Sequence, residues 1–227
     1  MKKGQVTSFW KKLETENLDM CASSTLFRLL KINGAKFNNK NVLDIGFGEG
    51  QNLIEFKKRG ANIFGIELRK SKIKKILKNT KVKKSNFFNC DLNESFPKIK
   101  KKIDIIYTLD TFNYLTDKNQ YIFFENCHKL LKKNGFFVIH YPQTQLKVKK
   151  KNKDLFNYEV SSNYKKSYFF GKDNPIIFLN KNKIEKLIKF YSKKLKLLSS
   201  IFDINTVSKS NSSKLTINRF ILFKKIT

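Results

Sequence analysis

The sequence contains few cysteines and no long apolar run, and each shortage narrows what the protein can be. Cys21, Cys90 and Cys127 are widely spaced and form no C-x-x-C pair, which argues against a disulfide framework and a zinc site. No apolar run approaches the ~20 residues that cross a bilayer, and no signal-peptide segment follows the first four residues. Asp, Glu, His and Cys show no metal-ligand spacing. We therefore expect a cytoplasmic protein with no membrane span and no metal.

Arginine is also scarce, although the chain is strongly basic. Lys and Arg number 48 against 18 Asp and Glu, which gives a net charge of +30, but only four of the 48 are Arg. Nucleic-acid recognition favours the planar fork of arginine, so the charge alone does not predict a nucleic-acid partner. Two interpretations stay open. The charge reflects a composition of the kind that A/T-rich codons produce, or it forms a broad field that attracts an anionic substrate.

Glycine is sparse, with nine in the chain, yet three stand at alternate positions in one segment. That segment is Asp44-Ile45-Gly46-Phe47-Gly48-Glu49-Gly50, between a short apolar strand and a predicted helix that begins near Gln51. Such glycines let the backbone turn sharply beside a ligand, and the free N–H groups of the helix point at that ligand. Dinucleotide-binding proteins carry G-x-G-x-x-G instead, so a nicotinamide oxidoreductase is disfavoured.

Acidic residues also close the next two predicted strands. Glu67 lies in the strand Asn62–Leu68, about 20 residues past the glycines, where an acidic residue can hold both ribose hydroxyls. Asp91 follows a third predicted strand, near Asn86–Cys90, and precedes the apolar Leu92. One glycine turn in register with three acidic strand ends predicts a nucleoside-bearing cofactor more strongly than the turn alone.

These segments resemble motif I and the following strands of the class I S-adenosylmethionine-dependent methyltransferases. The resemblance runs from about residue 41 to 224, and Leu130–Gly135 resembles the family's L-x-P-G-G segment without its proline. It implies that S-adenosyl-L-methionine is the cofactor. The cofactor-binding residues that it implies are Asp44, Gly46, Phe47, Gly48, Gly50, Glu67, Leu68, Asp91, Leu92 and Leu109.

The resemblance also implies roles for these residues. Asp44 orders the glycine turn and reaches toward the methionine amino group, while the glycines pass beneath the cofactor. Glu67 takes the ribose hydroxyls and Leu68 packs on the adenine. Asp91 takes the adenine amino group with the backbone of Leu92 beside it, although Asp91 also suits a cap of the next turn.

Strands that alternate with helices predict a doubly wound α/β fold. We expect a mostly parallel seven-stranded sheet, the Rossmann-like methyltransferase fold, with an antiparallel edge hairpin formed by Leu195–Ile204 and Leu215–Phe223. Residues 1–40 are predicted as an N-terminal helical lid segment, with a helix over about 8–33. Residues 41–227 are predicted as the methyltransferase domain, with a substrate-cap insertion at about 142–180.

Asp110 and His140 are the candidate catalytic residues. Asp110 follows the predicted strand Ile103–Leu109, where such folds place donor and acceptor. It is predicted as a proton acceptor, as a contact to the methionine part of the cofactor, or as the N-cap of the next segment. His140 ends the predicted strand Phe136–His140, and its ordinary pKa suits a general base near neutrality. A packed or surface histidine is the alternative.

The predicted reaction is methyl transfer to oxygen or nitrogen of a small molecule, because no nucleic-acid-binding module is appended. A sugar, a nucleotide-sugar or another phosphorylated metabolite is favoured, on the diffuse positive charge and the polar insertion. The alternatives are an RNA methyltransferase and a non-catalytic protein of the same fold. Either a lid over the acceptor or ordinary packing explains one further set of residues: Phe9, Trp10, Met20, Tyr158, Tyr164, Tyr168 and Phe169.

Overall fold

A computed structural model describes residues 21–150, 158–162, 181–209 and 212–226 of the chain. The helices in these ranges are α1 (Ser24–Ile32), α2 (Gln51–Lys58), α3 (Lys70–Thr80), α4 (Asp117–Leu130) and α5 (Lys181–Tyr191). The strands are β1 (Asn41–Ile45), β2 (Asn62–Glu67), β3 (Phe87–Asn89), β4 (Ile103–Leu109), β5 (Leu131–Lys150), β6 (Tyr158–Ser162), β7 (Leu195–Lys209) and β8 (Ser212–Lys225). Short 3₁₀ helices at Lys84–Asn86 and Phe112–Tyr114 precede β3 and α4.

The strands form one mixed sheet with the order β3-β2-β1-β4-β5-β8-β7. The first five strands in this order run parallel, and β8 lies antiparallel between β5 and β7. The chain runs outward from β1 to β3 and then returns to place β4 beside β1. This reversal is a topological switch point, where open α/β sheets form a crevice at the carboxyl ends of their strands. The predicted fold class is confirmed.

Alternate residues of the central strands belong to two separate cores, one on each face of the sheet. In β1, Val42 belongs to one core and Leu43 to the other, and β4 divides Ile105 and Ile106 in the same way. Helices α1, α2 and α3 cover the first face, and α4 and α5 cover the second. Strands buried on both faces explain why the sequence shows apolar runs instead of strict alternation.

The fifth strand differs most from its prediction. It was expected at Phe136–His140, but β5 starts at Leu131 and continues to Lys150, where β6 pairs with it antiparallel. The predicted turn at Asn134-Gly135 appears as an irregularity, since the pairing with β4 skips from Leu131 to Phe136 and Asn134 has a φ of +63°. The sheet therefore has an eighth strand inside the segment predicted as the cap insertion.

The N-terminal helix also differs from its prediction. Within the described residues α1 begins at Ser24, because the Ser23 side chain accepts a hydrogen bond from the Leu26 N–H at 3.2 Å and so caps the helix. The predicted helix over 8–33 is therefore not continuous through residues 21–23. Of the residues predicted as a lid, only the backbone of Tyr158 is described. The others, namely Phe9, Trp10, Met20, Tyr164, Tyr168 and Phe169, lie outside the described ranges.

None of the described helices is long and apolar enough to cross a membrane.

Candidate cofactor and acceptor site

A cavity of about 510 Å³ opens at the carboxyl ends of the parallel strands, at the switch point of the sheet. Every residue that the sequence predicted for the site lines this one cavity: Asp44, Gly46, Phe47, Gly48, Gly50, Glu67, Leu68, Asp91, Leu92, Leu109, Asp110 and His140. Residues distant in sequence meet here because the ends of parallel strands lie along one side of the sheet. Their individual roles stay predictions.

The glycine turn has the backbone that its spacing predicts. Gly46, Gly48 and Gly50 have φ values of +79°, +53° and +77°, in the left-handed region that favours glycine. A Cβ on Gly46 would lie 1.9 Å from the Thr111 Oγ1 atom, so no side chain fits there. Gly50 is the N-cap of α2 and gives it no side-chain cap, which leaves the first N–H groups of α2 available beside the cavity.

Glu67 ties the end of β2 to the glycine turn. Its Oε2 atom accepts a hydrogen bond from the Gly48 N–H at 2.8 Å, and its Oε1 atom accepts one from the Arg69 N–H at 3.0 Å. The Arg69 Nε atom lies 3.4 Å from the same oxygen, and both side chains are buried. These contacts fix the carboxylate in orientation at the wall of the cavity.

Asp44 is a buried carboxyl beneath the glycine turn. Burial raises the pKa of Asp44 well above its ordinary value, the Tyr107 phenol beside it opposes that rise, and the negative charge of Glu67 adds to it. A buried carboxylate without a full counter-charge attracts a cation strongly. The site is therefore suited to the amino group of a ligand.

Asp91 performs the capping role that the sequence left as an alternative. Its Oδ1 atom accepts a hydrogen bond from the Asn93 N–H at 2.9 Å, and its carbonyl accepts from the N–H groups of Glu94 and Ser95. The side chain also lines the cavity. Capping and contact with a ligand are thus compatible at this position.

Asp110 and His140 form a pair in the lining of the same cavity. The His140 Nδ1 atom lies 3.0 Å from the Asp110 Oδ1 atom, and the imidazole lies 4.2 Å, centroid to centroid, from the Phe220 ring. Asp110 has a φ of +56°, an uncommon conformation for a residue other than glycine. The N-cap of the 3₁₀ helix that follows is Thr111 and that of α4 is Thr116, so the capping alternative for Asp110 is wrong.

His140 is buried, with 8% of its side chain exposed, although it lines the cavity. Among the described residues, no atom forms a hydrogen bond of good geometry with either ring nitrogen, although Nδ1 lies 3.0 Å from Asp110 Oδ1. Buried polar atoms are almost always hydrogen-bonded. The Nε2 atom, which unlike Nδ1 has no described carboxylate within 4.0 Å, therefore indicates a position where a ligand or water completes the site.

Several lining residues were not predicted from the sequence. Arg69 and Thr111 support the glycine turn, as described above. Glu49 also lines the cavity and pairs with two lysines of α3, with its Oε1 atom 2.6 Å from Lys72 Nζ and its Oε2 atom 2.8 Å from Lys75 Nζ. Of these residues, only Arg69 could have been found from the sequence, because it lies two residues after Glu67. The contacts of Thr111 and Glu49 join segments that are distant in the sequence.

Comparison with known proteins identifies the family. The sequence model of the family described as "Methyltransferase domain" matches residues 36–198. A comparison with curated protein sequences finds no significant match. The structure is similar to an S-adenosylmethionine-dependent methyltransferase from Clostridium acetobutylicum ATCC 824, with a TM-score of 0.61 and 14% identity over 100% of this chain and 93% of that chain.

Two further solved structures share the fold. The N-methyltransferase NodS from Bradyrhizobium japonicum WM9, in complex with S-adenosyl-L-homocysteine, matches with a TM-score of 0.62 and 13% identity over 98% of this chain and 99% of that one. Magnesium protoporphyrin IX methyltransferase from Synechocystis PCC 6803, with bound S-adenosylmethionine, matches with a TM-score of 0.56 and 11% identity over 89% and 77%.

A family model that covers most of the chain, together with this fold, defines the class of protein. The chain belongs to the methyltransferase-domain family and is a class I S-adenosylmethionine-dependent methyltransferase. Its cofactor is S-adenosyl-L-methionine.

Proposed function

We propose that this methyltransferase acts on an oxygen or nitrogen atom of a small molecule, with His140 as the proton acceptor and Asp110 as the residue that orients it. The observation that supports the proposal is that one cavity joins the glycine turn and acidic strand ends to the His140–Asp110 pair. A donor and an acceptor held in one cavity react at a much higher effective concentration than in solution.

The described residues fit the cofactor at three points. Asp44 offers a buried carboxyl to the methionine ammonium, Glu67 presents its fixed carboxylate to the ribose hydroxyls, and Asp91 lies at the adenine end. At Gly48 the nearest atom to an added Cβ is Arg69 Nη2 at 3.7 Å, so the absence of a side chain leaves the backbone open to the cavity. When bound, S-adenosylmethionine supplies a methyl group on a sulfonium that is already a good leaving group.

His140 contributes proton transfer in this proposal. A neutral imidazole whose Nδ1 faces Asp110 presents Nε2 to the acceptor, and the nearby carboxylate stabilises the imidazolium that forms. The Phe220 ring restricts rotation of the imidazole. This general base contributes a rate factor of about 10²–10⁴.

The lid and the compartment belong to the same proposal. Cys21 and Ser23 line the cavity, which supports a covering role for the N-terminal segment, residues 1–40. The insertion at about 142–180 begins two residues after His140 in the sequence, and this position supports its role as a substrate cap. Cys21, Cys90 and Cys127 are free thiols, which fits the reducing cytoplasm.

The test is a comparison of His140→Ala with wild type. Formation of S-adenosylhomocysteine should fall about 10²-fold or more in the variant, while the dissociation constant of S-adenosylhomocysteine, measured by calorimetry, should not change. His128→Ala is a matched control, because His128 lies in α4 and does not line the cavity. Equal turnover in wild type and His140→Ala would rule out the role of His140 as the base.

A further inference from the structure

The cavity has the opposite charge balance from the rest of the molecule. The chain carries 48 basic and 18 acidic residues. Among the described residues, the cavity is lined by one basic residue, Arg69, and by six of the 18 acidic ones: Asp44, Glu49, Glu67, Asp91, Asp110 and Asp203. The one arginine already faces Glu67. Burial raises the pKa of Asp44, and Glu49 faces two lysines. The negative charge on which an acceptor can draw therefore comes mainly from Asp110 and Asp203.

Four of the six carboxyls lie in the part of the cavity formed by the first three strands and the glycine turn, here called the cofactor half; the remainder is the acceptor half. Asp44, Glu67 and Asp91 lie at the ends of the first three strands, and Glu49 in the glycine turn is held by Lys72 and Lys75. On the acceptor side, Asp110 directly follows β4 and Asp203 lies within β7, and both line the cavity. The acceptor half thus contains two carboxylates and, among the described lining residues, no lysine or arginine.

Strand register places Asp203 on the same face of the sheet as His140. His140 of β5 pairs with Phe220 of β8, and Phe220 pairs with Ile201 of β7. Directly paired residues share a face, and side chains repeat every second residue along a strand. Asp203, two residues after Ile201, therefore faces the same side as His140 and Phe220.

The nearest arginine of these strands lies on the other face. Arg219 pairs across the sheet with Tyr141 and Phe202. Its Nε atom donates to the Ser200 Oγ atom at 2.8 Å, and its guanidinium lies 5.7 Å from the centroid of the Phe202 ring. Within the described part of the chain, no ion pair joins Asp203 to a basic side chain.

Building on the proposed function, we propose that the methyl acceptor is a small amine, which enters as an ammonium ion and is held by Asp203 and Asp110 beside His140. Neither nitrogen of the buried imidazole has a hydrogen bond of good geometry among the described residues, and Nε2, on the side away from Asp110, marks where the acceptor nitrogen lies. Opposite charges within a partly desolvated cavity attract more strongly than in water. A phosphorylated acceptor would instead place its negative charge against these two carboxylates.

An amine also gives the His140–Asp110 pair a defined task. An ammonium ion has no free electron pair, so it must first lose one proton, which passes to Nε2 of neutral His140. The nitrogen lone pair then forms the new N–C bond to the methyl carbon, as the C–S bond breaks and its electrons return to sulfur. The products are a methylated ammonium, neutral S-adenosylhomocysteine sulfur and an imidazolium that releases its proton to solvent.

Paired probes that differ in charge test this inference. The acceptors are 2-phenylethylamine with 2-phenylethanol, and glucosamine with glucose and glucosamine 6-phosphate. Two quantities are measured for each, the rate of S-adenosylhomocysteine formation and binding to protein saturated with S-adenosylhomocysteine. We expect the amines to bind and react and their alcohol counterparts to do neither. Glucosamine 6-phosphate should bind more weakly and react more slowly than glucosamine.

The variant for this test is Asp203→Asn, with Glu125→Gln as the matched control. Glu125 lies on α4, outside the cavity, and pairs with Lys129 and Lys194, so its variant changes the net charge by the same amount. Asp203→Asn should raise the KM and the dissociation constant of amines about tenfold or more, with the dissociation constant of S-adenosylhomocysteine unchanged. Glu125→Gln should change neither.

The outcomes separate this inference from the proposed function. No binding of S-adenosylhomocysteine to the wild type would overturn both. Normal binding of S-adenosylhomocysteine, with a response to alcohols or phosphates alone or to no amine in the panel, would overturn the amine acceptor only. An amine response that is the same in Asp203→Asn and wild type would remove Asp203 from the site.

Discussion

At the scale of single residues, the positions that lack a side chain are as informative as those that carry one. Gly46 and Gly34 have nearly the same backbone, with φ values of +79° and +82°. A Cβ on Gly46 would lie 1.9 Å from Thr111 Oγ1, whereas a Cβ on Gly34 would have no atom within 4 Å. The two glycines therefore separate the cost of the left-handed conformation from the cost of a collision.

Gly34→Ala should lower the free energy of unfolding by about 1 kcal/mol, the cost of a non-glycine residue in this conformation. Gly46→Ala should lower it further, by about 1–3 kcal/mol beyond that value, and should also weaken binding of S-adenosylhomocysteine. Urea denaturation and calorimetry measure the two effects. Equal losses of stability, with binding intact in both variants, would show that the turn tolerates a side chain.

The buried carboxyl of Asp44 costs stability to the empty protein. Because its pKa is raised in the folded state, the folded protein holds a proton that the unfolded chain releases above about pH 4. Stability therefore falls as pH rises from that point toward the raised pKa, by about 1.4 kcal/mol for each pH unit between the unfolded and folded pKa values.

Asp44→Asn should remove this loss. The variant without cofactor should be more stable than wild type at pH 7, should lose that advantage below about pH 4, and should bind S-adenosylmethionine more weakly. Thermal unfolding across this pH range measures the difference. An advantage that did not depend on pH would contradict the assignment of a raised pKa to Asp44.

Residue types and spacing were sufficient to predict twelve of the residues that line the cavity, from one motif and the ends of the parallel strands. They were not sufficient for contacts between distant segments. Nothing in the sequence shows that Thr111 faces Gly46, or that Asp203 shares a face with His140, because both depend on sheet register. The His140–Asp110 contact joins two residues that were predicted separately.

At the scale of elements, a buried ion pair joins the glycine turn to α3. Glu49 lies between Lys72, which is 2% exposed, and Lys75, which is 38% exposed. Burial alone would raise the pKa of Glu49, but the hydrogen bonds and charges of Lys72 and Lys75 hold it below its ordinary value. The contacts of Glu49 with the two lysines therefore stabilise the fold at pH values above the pKa of Glu49. Their contribution is lost as the pH falls through that pKa.

Lys72→Met should lower the free energy of unfolding at pH 7 by about 3 kcal/mol, because it leaves a buried carboxylate with one exposed partner. Lys75→Met removes the exposed partner and should cost less than about 1 kcal/mol. The difference should shrink in acid, as Glu49 becomes protonated. Chemical denaturation at two pH values measures it, and equal losses from the two variants would contradict a special role for the buried lysine.

The helices that follow β1 and the central strands could be predicted because each has its own signal. Strand β4 has its predicted bounds, Ile103–Leu109. The long β5 and its partner β6 could not be predicted, because that segment is polar and its pairing depends on a neighbour formed later in the chain. The Asn134-Gly135 signal correctly marked a break but not its type, an irregularity within a strand.

At the scale of the whole molecule, the positive surface and the acidic cavity predict different behaviour toward salt. An enzyme that used the net charge of +30 to bind RNA would lose affinity by about 10³-fold or more between 50 and 200 mM salt. Binding of S-adenosylhomocysteine in a partly buried cavity should change little over that range.

Two measurements over the same salt series compare these salt dependences. Fluorescence anisotropy follows binding of a labelled single-stranded RNA, and calorimetry follows binding of S-adenosylhomocysteine. We expect only weak RNA binding that disappears by physiological salt. Tight binding to one RNA sequence that persists there would favour an RNA acceptor over a small molecule.

The central claim, that this cavity holds the cofactor, is tested most directly by thermal unfolding of wild type and Glu67→Ala with S-adenosylmethionine, S-adenosylhomocysteine or NADH. At 100 times the dissociation constant, binding adds about 2.7 kcal/mol, which corresponds to a rise in Tm of roughly 5–10 °C for a chain of this length. We expect that rise in wild type with the two sulfur compounds only, and its loss in Glu67→Ala. The same rise in both proteins, or none in wild type, would contradict the assignment of the site.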